Sequence, residues 1–422
     1  MEPMTKRAPH TDSSGQEITY PSLHGAECPW PSLELMRKRH PVYQLPDQPD
    51  LFAISRWEDI RYVSSHPEIF TSDRSRSALL GTDVDVMIGS STLVVTETDG
   101  EEHKRKRAMA FQAVKPGRLV TYEPMIAQLV DRLIDGFAPR GRADLVDELT
   151  GPLPAYVTCH MLGLPEEDVD YIREWGTFEV PGLRWYSEDF ARRQLASAAR
   201  MNRYLTAKVL DRHEHPGDDV ISDVIAEQIA QDGEFDLAEA RSQVTVLLGG
   251  GVITTAHFLS TAICNTLASQ GVLERVSADH ALIPTLIEEA LRLETPSLWH
   301  TRRVLVDTEL HGLRIPAGAF VLLMTAAANR SENRFPNPDV LDIDRPNLKH
   351  HVGFGYGAHF CLGAPLARLE VRIAFEHLLT RLPNLRLAND NDFKHIASVQ
   401  FRGLRRLNVE FDPAPTVCGD RG

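Results

Sequence analysis

One cysteine stands in the segment of this sequence whose residue types are best suited to chemistry. The segment, residues 354–363, reads FGYGAHFCLG, and the two glycines before Cys361 permit a tight turn that a Cβ would obstruct. Residues 362–382 then carry apolar side chains at helical spacing. Cys361 is therefore expected at the start of a helix, where the helix dipole and the free N–H groups favour a thiolate over a thiol.

A thiolate in such a position would be a strong axial ligand for iron. The alternative is a buried cysteine beside a glycine turn, and a bare GxGxxxC pattern would favour that alternative. The complete string, FGxGxHxCxG, resembles the haem-binding loop of the cytochrome P-450 superfamily. The resemblance implies haem b as cofactor, Cys361 as the ligand of its iron, and His359 as a hydrogen-bond partner of a haem propionate.

Two charged residues, Glu289 and Arg292, are three apart in a helical pattern and close enough to pair on one face. Alone, such a pair is most often a surface feature. Its position before the cysteine resembles the ExxR helix of the family, whose third member would here be Arg345. The resemblance implies a buried charge network that fixes the cysteine side of the haem and does no chemistry.

A basic segment, residues 99–107, places His103 and Arg107 four apart and hence on one helix face. It resembles the HxxxR helix of the family, whose two cationic groups bind the haem propionates. Arg303 aligns with the third propionate arginine of the family, and Arg302 is the less favoured substitute. Buried propionates would need such charged partners.

A long helical pattern runs from Asp236 to Gln270 and opens with a sequence like a capping box. Three consecutive glycines lie in its middle, where each lowers helix stability by about 1 kcal/mol, and they would suit the close approach of a flat ligand. The stretch resembles the oxygen-binding helix of the family. That resemblance implies catalytic roles for Gly250, Gly251 and Thr254, with the threonine hydroxyl hydrogen-bonded to the oxygen substrate.

The residue before Thr254 departs from the family pattern, because Ile253 stands where an acid is usual. An aliphatic side chain cannot carry a proton. Three alternatives stay open: water ordered by Thr254 alone, with slower turnover; participation of His257, one helical turn later; or a polar group brought by the substrate.

The resemblance also places a substrate pocket on the oxygen side of the haem. A mostly apolar cavity with few polar anchors fits a small or medium lipophilic substrate. The residues predicted to line it are Met87, Phe178, Trp185, Val252, Ile253, Leu298, Trp299, His300 and Val399.

Helical patterns dominate the chain, and strand-like pieces cluster in residues 42–54 and 303–321. We therefore predict a mainly α protein with a small β portion, and the resemblance implies the cytochrome P-450 fold with a single triangular haem domain. The predicted domain spans residues 26–412, between a flexible arm at 1–25 and a tail at 413–422.

Composition narrows the class of partner. The 422 residues carry a formal net charge of −14, which disfavours nucleic-acid binding. No apolar run approaches the ~20 residues needed to span a bilayer, and no signal-peptide core is present. The five cysteines show no CxxC pair of the kind that holds zinc. We expect a cytoplasmic monomer that contacts neither membrane nor nucleic acid.

The favoured function is a monooxygenase that uses O2, with electrons from NAD(P)H through a separate ferredoxin and reductase, because no GxGxxG follows a strand. Lys104 and Lys106 are expected on a solvated face, and with Arg105 and Arg368 they would suit an acidic partner. Two alternatives are a peroxide-using or otherwise atypical haem-thiolate oxidase, motivated by Ile253, and a non-catalytic haem sensor or carrier.

Overall fold

Helices make up most of the computed structural model, which describes residues 18–46, 48–73, 93–176 and 188–416. The α-helices within these ranges are α1 (Leu23–Ala26), α2 (Trp30–Arg39), α3 (Trp57–Ser65), α4 (Gly100–Phe111), α5 (Pro116–Asp135), α6 (Pro152–Leu162), α7 (Val169–Gly176), α8 (Glu188–Glu214), α9 (Val220–Asp232), α10 (Leu237–Ala268), α11 (Gln270–Ala278), α12 (Ile283–Leu293), α13 (Thr325–Ala328) and α14 (Ala364–Arg381).

Short strands form a minor part of the same ranges. They are β1 (Val42–Gln44), β2 (Leu51–Ile54), β3 (Phe70–Thr71), β4 (Arg142–Asp144), β5 (His300–Val304), β6 (Thr308–Leu310), β7 (Leu313–Ile315), β8 (Phe320–Leu323), β9 (Arg386–Leu387) and β10 (Asn408–Glu410). The largest sheet has the order β1-β2-β8-β5-β3. The hairpin predicted in residues 42–54 is β1 and β2, paired antiparallel with Val42 opposite Ile54.

The long helix α10 begins where its cap predicts. The Asp236 carboxylate accepts hydrogen bonds from the N–H groups of Ala238 and Glu239, at 2.8 and 3.2 Å. The helix packs against α6, α8, α9 and α12. Its length and composition would also allow it to cross a membrane, but half of its most apolar window is buried, as in a core helix. This central position lets α10 carry residues for an internal site.

The observed helices and few strands confirm the predicted mainly α fold class. The predicted limits of the arm and the tail need correction, because residues assigned to each of them pack against the rest of the protein. Tyr20 is buried and its hydroxyl donates to the Val399 carbonyl at 2.6 Å. At the other end, the Ala414 N–H donates to the Ala138 carbonyl at 3.0 Å. The limits of the domain otherwise stay a prediction.

Candidate active site

The cysteine loop joins a 3-10 turn, Gly357–His359, to helix α14. The Cys361 N–H donates to the Phe354 carbonyl at 2.8 Å, which closes the loop. Gly355 and Gly357 both have φ of 74°, a left-handed conformation that disfavours other residues. A Cβ on Gly357 would also lie 2.8 Å from the Ser64 carbonyl oxygen of α3. Gly357 is therefore needed to bring the loop against α3, and Gly355 for the backbone conformation of the turn.

Cys361 lies deep in the protein, and burial raises the pKa of its thiol. The N–H groups of Gly363 and Ala364, at the start of α14, act in the opposite direction. The sequence-based expectation that the helix start favours a thiolate is thus incomplete, because burial outweighs it. The thiolate would need a coordinated cation, which deprotonates a thiol outright.

Basic side chains from two elements meet near this loop. The rings of His103, on α4, and His359 are 4.2 Å apart, and Arg107 donates to the Phe360 carbonyl at 2.8 Å. Burial, followed by the charges of His359 and Arg107, lowers the pKa of His103 to about 4. The Nε2 atom of His103 is buried without a hydrogen-bond partner among the described residues.

An acid that the sequence reasoning missed supports His359. The Asp99 Oδ1 atom lies 3.1 Å from His359 Nε2, and Oδ2 accepts from the Thr71 hydroxyl at 2.6 Å. Burial raises the pKa of Asp99, but the hydrogen bonds from His359 and Thr71 outweigh it and hold that pKa well below its usual range. The Ser72 hydroxyl is also 3.1 Å from His359 Nε2. Only its place just before the HxxxR segment could have pointed to Asp99.

Arg302 and Arg303 are adjacent on β5, and neighbouring residues of a strand point to opposite sides. Arg302 lies deep in the molecule yet keeps accessible surface, and burial lowers its pKa to about 10. Its positive charge acts on both His103 and His359. Arg303 instead lies 3.4 Å from the Asp73 carboxylate. The structure therefore favours Arg302 over the predicted Arg303 as a member of the cationic cluster.

Gly250 and Gly251 of α10 have different surroundings. The Thr254 hydroxyl donates to the Gly250 carbonyl at 3.0 Å, and a Cβ on Gly250 would meet no atom within 4 Å. A Cβ on Gly251 would lie 2.8 Å from the Thr158 hydroxyl oxygen of α6. Gly250 therefore faces open space as expected. Gly251 permits close packing of α10 on α6 rather than the approach of a ligand.

Two side chains near Thr254, those of Ile253 and His257, border accessible space. Ile253 is partly accessible, whereas Val252 is 4% exposed and belongs to the core. His257 lies deep but keeps some accessible surface, and burial lowers its pKa to about 4. Its ring lies so close to Gly403 that a Cβ there would overlap it. Because of this low pKa, His257 is neutral at pH 7. The neutral ring can still donate and accept hydrogen bonds.

Three of the predicted pocket residues lie in packed core instead. Leu298, Trp299 and Val399 have almost no accessible surface, and the Trp299 indole N–H donates to the Val399 carbonyl at 2.8 Å. A side chain with almost no accessible surface cannot contact a ligand in this conformation, so we leave these three out of the pocket. Val252 is left out as well, because it packs in the main core cluster. His300 remains partly accessible. The other predicted lining residues, Met87, Phe178 and Trp185, lie outside the described residues.

The structure brings the three residues of the expected charge network together. Arg292 Nε is 2.7 Å from one Glu289 oxygen, and Arg345 Nε is 3.2 Å from the other. All three side chains are buried. Arg292 also donates to the carbonyls of Asn329 and Pro338, at 2.9 and 2.8 Å. The network thus joins α12 to the segment that precedes the cysteine loop.

The prediction of a solvated face holds for Lys104 and is wrong for Lys106. Lys106 has a side chain 2% exposed, and its Nζ lies 2.6 Å from the Glu239 carboxylate of α10. Arg105 pairs with Glu102, Asp232 and the same Glu239. Of these cations only Lys104, 71% exposed, lies in solvent. Helical spacing placed Lys106 on the α4 surface but could not show that α10 covers it.

This chain is similar to known proteins in sequence. A family model described as Cytochrome P-450 matches residues 181–397. The chain is 32% identical to Cytochrome P-450(MEG) of Priestia megaterium over 83% of each chain. It is also 32% identical to the Steroid C26-monooxygenase of Mycobacterium tuberculosis (strain H37Rv), over 90% of this chain and 93% of that one.

A solved structure gives the same result. The haem domain of a Tepidiphilus thermophilus P-450 superposes with a TM-score of 0.81 at 29% identity, covering 91% of this chain and 94% of that one. The similarity in both sequence and fold extends over nearly the whole chain.

Proposed function

The chain belongs to the cytochrome P-450 family, and we propose that Cys361 supplies the thiolate for the iron of its haem b. The chain is thus a monooxygenase with a haem cofactor. The observation that carries the assignment of Cys361 is its loop, closed by the bond to Phe354 and followed at once by α14. Cys159 and Cys264, by contrast, lie within α6 and α10, away from such a loop.

The residues around the loop fit haem b. Within the part of the chain that the structure describes, no three His, Cys, Asp or Glu side chains cluster as metal ligands. A metal at Cys361 therefore needs ligands from elsewhere, which a porphyrin provides. We assign the two propionates to His103, Arg107, His359 and Arg302. The unpartnered Nε2 of His103 supports this assignment, because a buried polar atom needs a partner.

A haem held by the Cys361 thiolate would supply the activation of O2 that monooxygenation requires. We assign the chain's own contribution to that reaction to α10. Gly250 leaves open space beside the helix, and Thr254, anchored on the Gly250 carbonyl, offers a hydroxyl oxygen that can accept a hydrogen bond from water. Ile253 holds no proton, so protons must reach this space through water, through His257 or from the substrate.

We further propose a small or medium lipophilic substrate, with electrons from NAD(P)H through a separate ferredoxin, in a cytoplasmic monomer. The steroid relative named above acts on a lipophilic molecule, which supports this class. Partly accessible apolar side chains such as Ile253 support it as well. His300 is the polar residue of the predicted lining that stays accessible.

A second candidate, favoured by Ile253, is use of hydrogen peroxide in place of O2 and electrons, because peroxide already carries two protons. A non-catalytic sensor or carrier is not retained, since relatives of this chain such as the Steroid C26-monooxygenase are enzymes.

Product analysis separates the first two candidates. The purified holoenzyme would be supplied with a substrate chosen by its shift of the haem Soret band. Product that requires NADH, ferredoxin and reductase supports the proposal. Product formed faster with peroxide alone than with the complete electron-transfer system would replace it with the second candidate.

A further inference from the structure

A surface cavity of about 500 Å³ lies between α4 and the first turn of α10. Its rim is acidic and carries the exposed side chains of Asp232, Glu234 and Asp236. Two side chains of opposite charge, Lys106 and Glu239, also line the cavity but are buried. Solvent in this cavity therefore reaches charged groups in the interior, at the start of α10.

The buried pair can bind water at the floor of the cavity. Burial raises the pKa of Glu239, but hydrogen bonds from Arg105 and Lys106 outweigh it and lower that pKa to about 2. Glu239 is therefore ionised at pH 7. Lys106 Nζ lies 2.6 Å from Glu239 and 3.1 Å from Glu102. These two acids engage two of the three N–H groups of the ammonium, so within the described ranges one donor is left for water.

Gln243 is the next polar residue on the same side of α10. It follows Glu239 by four residues, so the two side chains share one helix face and lie about 6 Å apart along the axis. Gln243 is 0% exposed. Neither its amide nitrogen nor its amide oxygen has a hydrogen-bond partner among the described residues. Buried polar atoms without protein partners are usually satisfied by internal water, so the amide marks a place for such water.

The same face of α10 continues to the open space beside Thr254. At about 100° per residue, positions 239, 243, 246, 250 and 254 lie within an arc of about 80°. Val246 and Thr254 are partly accessible and Gly250 is exposed, so accessible surface returns one turn beyond Gln243. The distance along the axis from Gln243 to Gly250 is about 10 Å, which about three hydrogen-bonded waters can span.

We propose that this face of α10 carries protons from the cavity to Thr254, through water held by Lys106 and Gln243. The inference rests on the proposed function, because the protons are needed only where O2 is reduced. It selects the water route among the three that Ile253 leaves open. Each water passes one proton forward and receives one from behind, so the two protons used with each O2 come from solvent and no side chain changes its charge. Gln243 is a positioning residue, whose amide donates to one water and accepts from another.

Replacing Gln243 by an apolar residue of similar shape tests the proposal in holoenzyme supplied with NADH, ferredoxin, reductase and a substrate without polar groups. Gln243→Met should lower the product formed per NADH about fivefold, the equivalent of one ordinary hydrogen bond, with hydrogen peroxide in its place. Its product formation should also slow more in D2O than that of native protein. Gln48→Met is the matched control and should behave as native protein does. Gln48 is also buried, with an amide oxygen that lacks a partner among the described residues, but it lies between β1 and β2.

Two further measurements separate proton delivery from packing. Gln243→Glu should restore product formation, because a buried glutamic acid stays protonated and, like glutamine, both donates and accepts hydrogen bonds. A high-resolution crystal structure of the native holoenzyme should show ordered water within hydrogen-bond distance of both Gln243 amide atoms. This second readout is independent of turnover.

Native coupling and a native D2O effect in Gln243→Met would overturn the proposal, and so would a Gln243 amide without water in the crystal structure. Lost coupling that Gln243→Glu does not restore, with a native D2O effect, would make Gln243 a packing residue and overturn it equally. If Gln243→Met bound no haem, Val246→Phe would replace it, since the larger side chain should close the same path; native coupling there would also overturn the proposal. If native protein lacked a thiolate spectrum, the proposed function itself would fail.

Discussion

The imidazole rings of His103 and His359 lie 4.2 Å apart, although one is on α4 and the other in the cysteine loop. Burial lowers the pKa of both rings, and the charges of the neighbouring Arg107 and Arg302 lower it further. Basic groups are brought together in this way where an anion is to be bound. Two carboxylates of a haem would reverse these shifts.

The pH dependence of stability should therefore differ between haem-free and haem-loaded protein. His103 and His257 have folded pKa values of about 4, below the ordinary value of 6.5. Between these values the unfolded chain binds more protons, so haem-free protein should lose stability as the pH falls from 6.5 toward 4. Haem should reduce the loss contributed by His103. Urea unfolding at pH 7 and pH 5, with and without haem, measures this.

His103→Gln provides the control, because it removes one of the two titrating rings. Its haem-free form should lose less stability on acidification than the native haem-free form. Equal stability of the native haem-free protein at pH 7 and pH 5 would show that these rings do not titrate as the burial indicates.

Arg302 and Arg303 form a matched pair for the propionate site. Arg302→Leu should lower the haem content of purified protein markedly, because it removes a deep cation that acts on both histidines. Arg303→Leu should lower it less, since that side chain lies toward Asp73. Haem content per chain, from the pyridine haemochrome and total protein, gives the comparison. The reverse order would restore the original sequence-based assignment.

The Glu289, Arg292 and Arg345 network should be structural. Arg292→Ala leaves Glu289 buried with one partner fewer, and breaking a buried pair typically costs about 3–5 kcal/mol. We expect misfolded or haem-poor protein. Arg275→Ala removes an exposed pair with Asp344 and should change stability little. An Arg292→Ala variant that unfolds in urea at the native midpoint would rule out this reading.

Ile253 should limit the coupling of NADH oxidation to product. With no acid beside Thr254, substrates that lack a polar group should give much hydrogen peroxide. Ile253 is partly accessible, so Ile253→Asp can place a carboxylate next to water and should raise the product formed per NADH. Haem content must first be shown to be native, because an unpaired buried carboxylate can disturb the helix.

His257→Ala separates the remaining alternatives for proton supply. A fall in coupling would assign the relay to His257, which is neutral and deep. Complete coupling in native protein with a pure hydrocarbon, unchanged by His257→Ala, would mean that the missing acid has no mechanistic consequence.

Local patterns predicted much of the fold because they depend on neighbours in sequence. The cap at Asp236 and the hairpin from Val42 to Ile54 both follow from local rules, and both are present. Spacing likewise placed Glu289 and Arg292 on one face.

Other features depend on which elements pack together, and the sequence could not supply them. Lys106 is polar and at a helix position that solvent could reach, yet Glu239 of α10 pairs with it in the interior. Trp299 has the character of a pocket residue, but the Val399 carbonyl and Tyr20 enclose it. Whether Arg302 or Arg303 joins the cationic cluster depends on which face of β5 points toward the histidines. The sequence alone does not determine that orientation.

The most direct test of the central claim is the spectrum of the reduced carbon monoxide complex of Cys361→His. A histidine ligand should abolish the red-shifted Soret band that a thiolate gives, whereas Cys264→Ala should leave that band at native intensity per haem. If Cys361→His kept the thiolate band, another residue would bind the iron, and the assignment of Cys361 and of the site built around it would be contradicted.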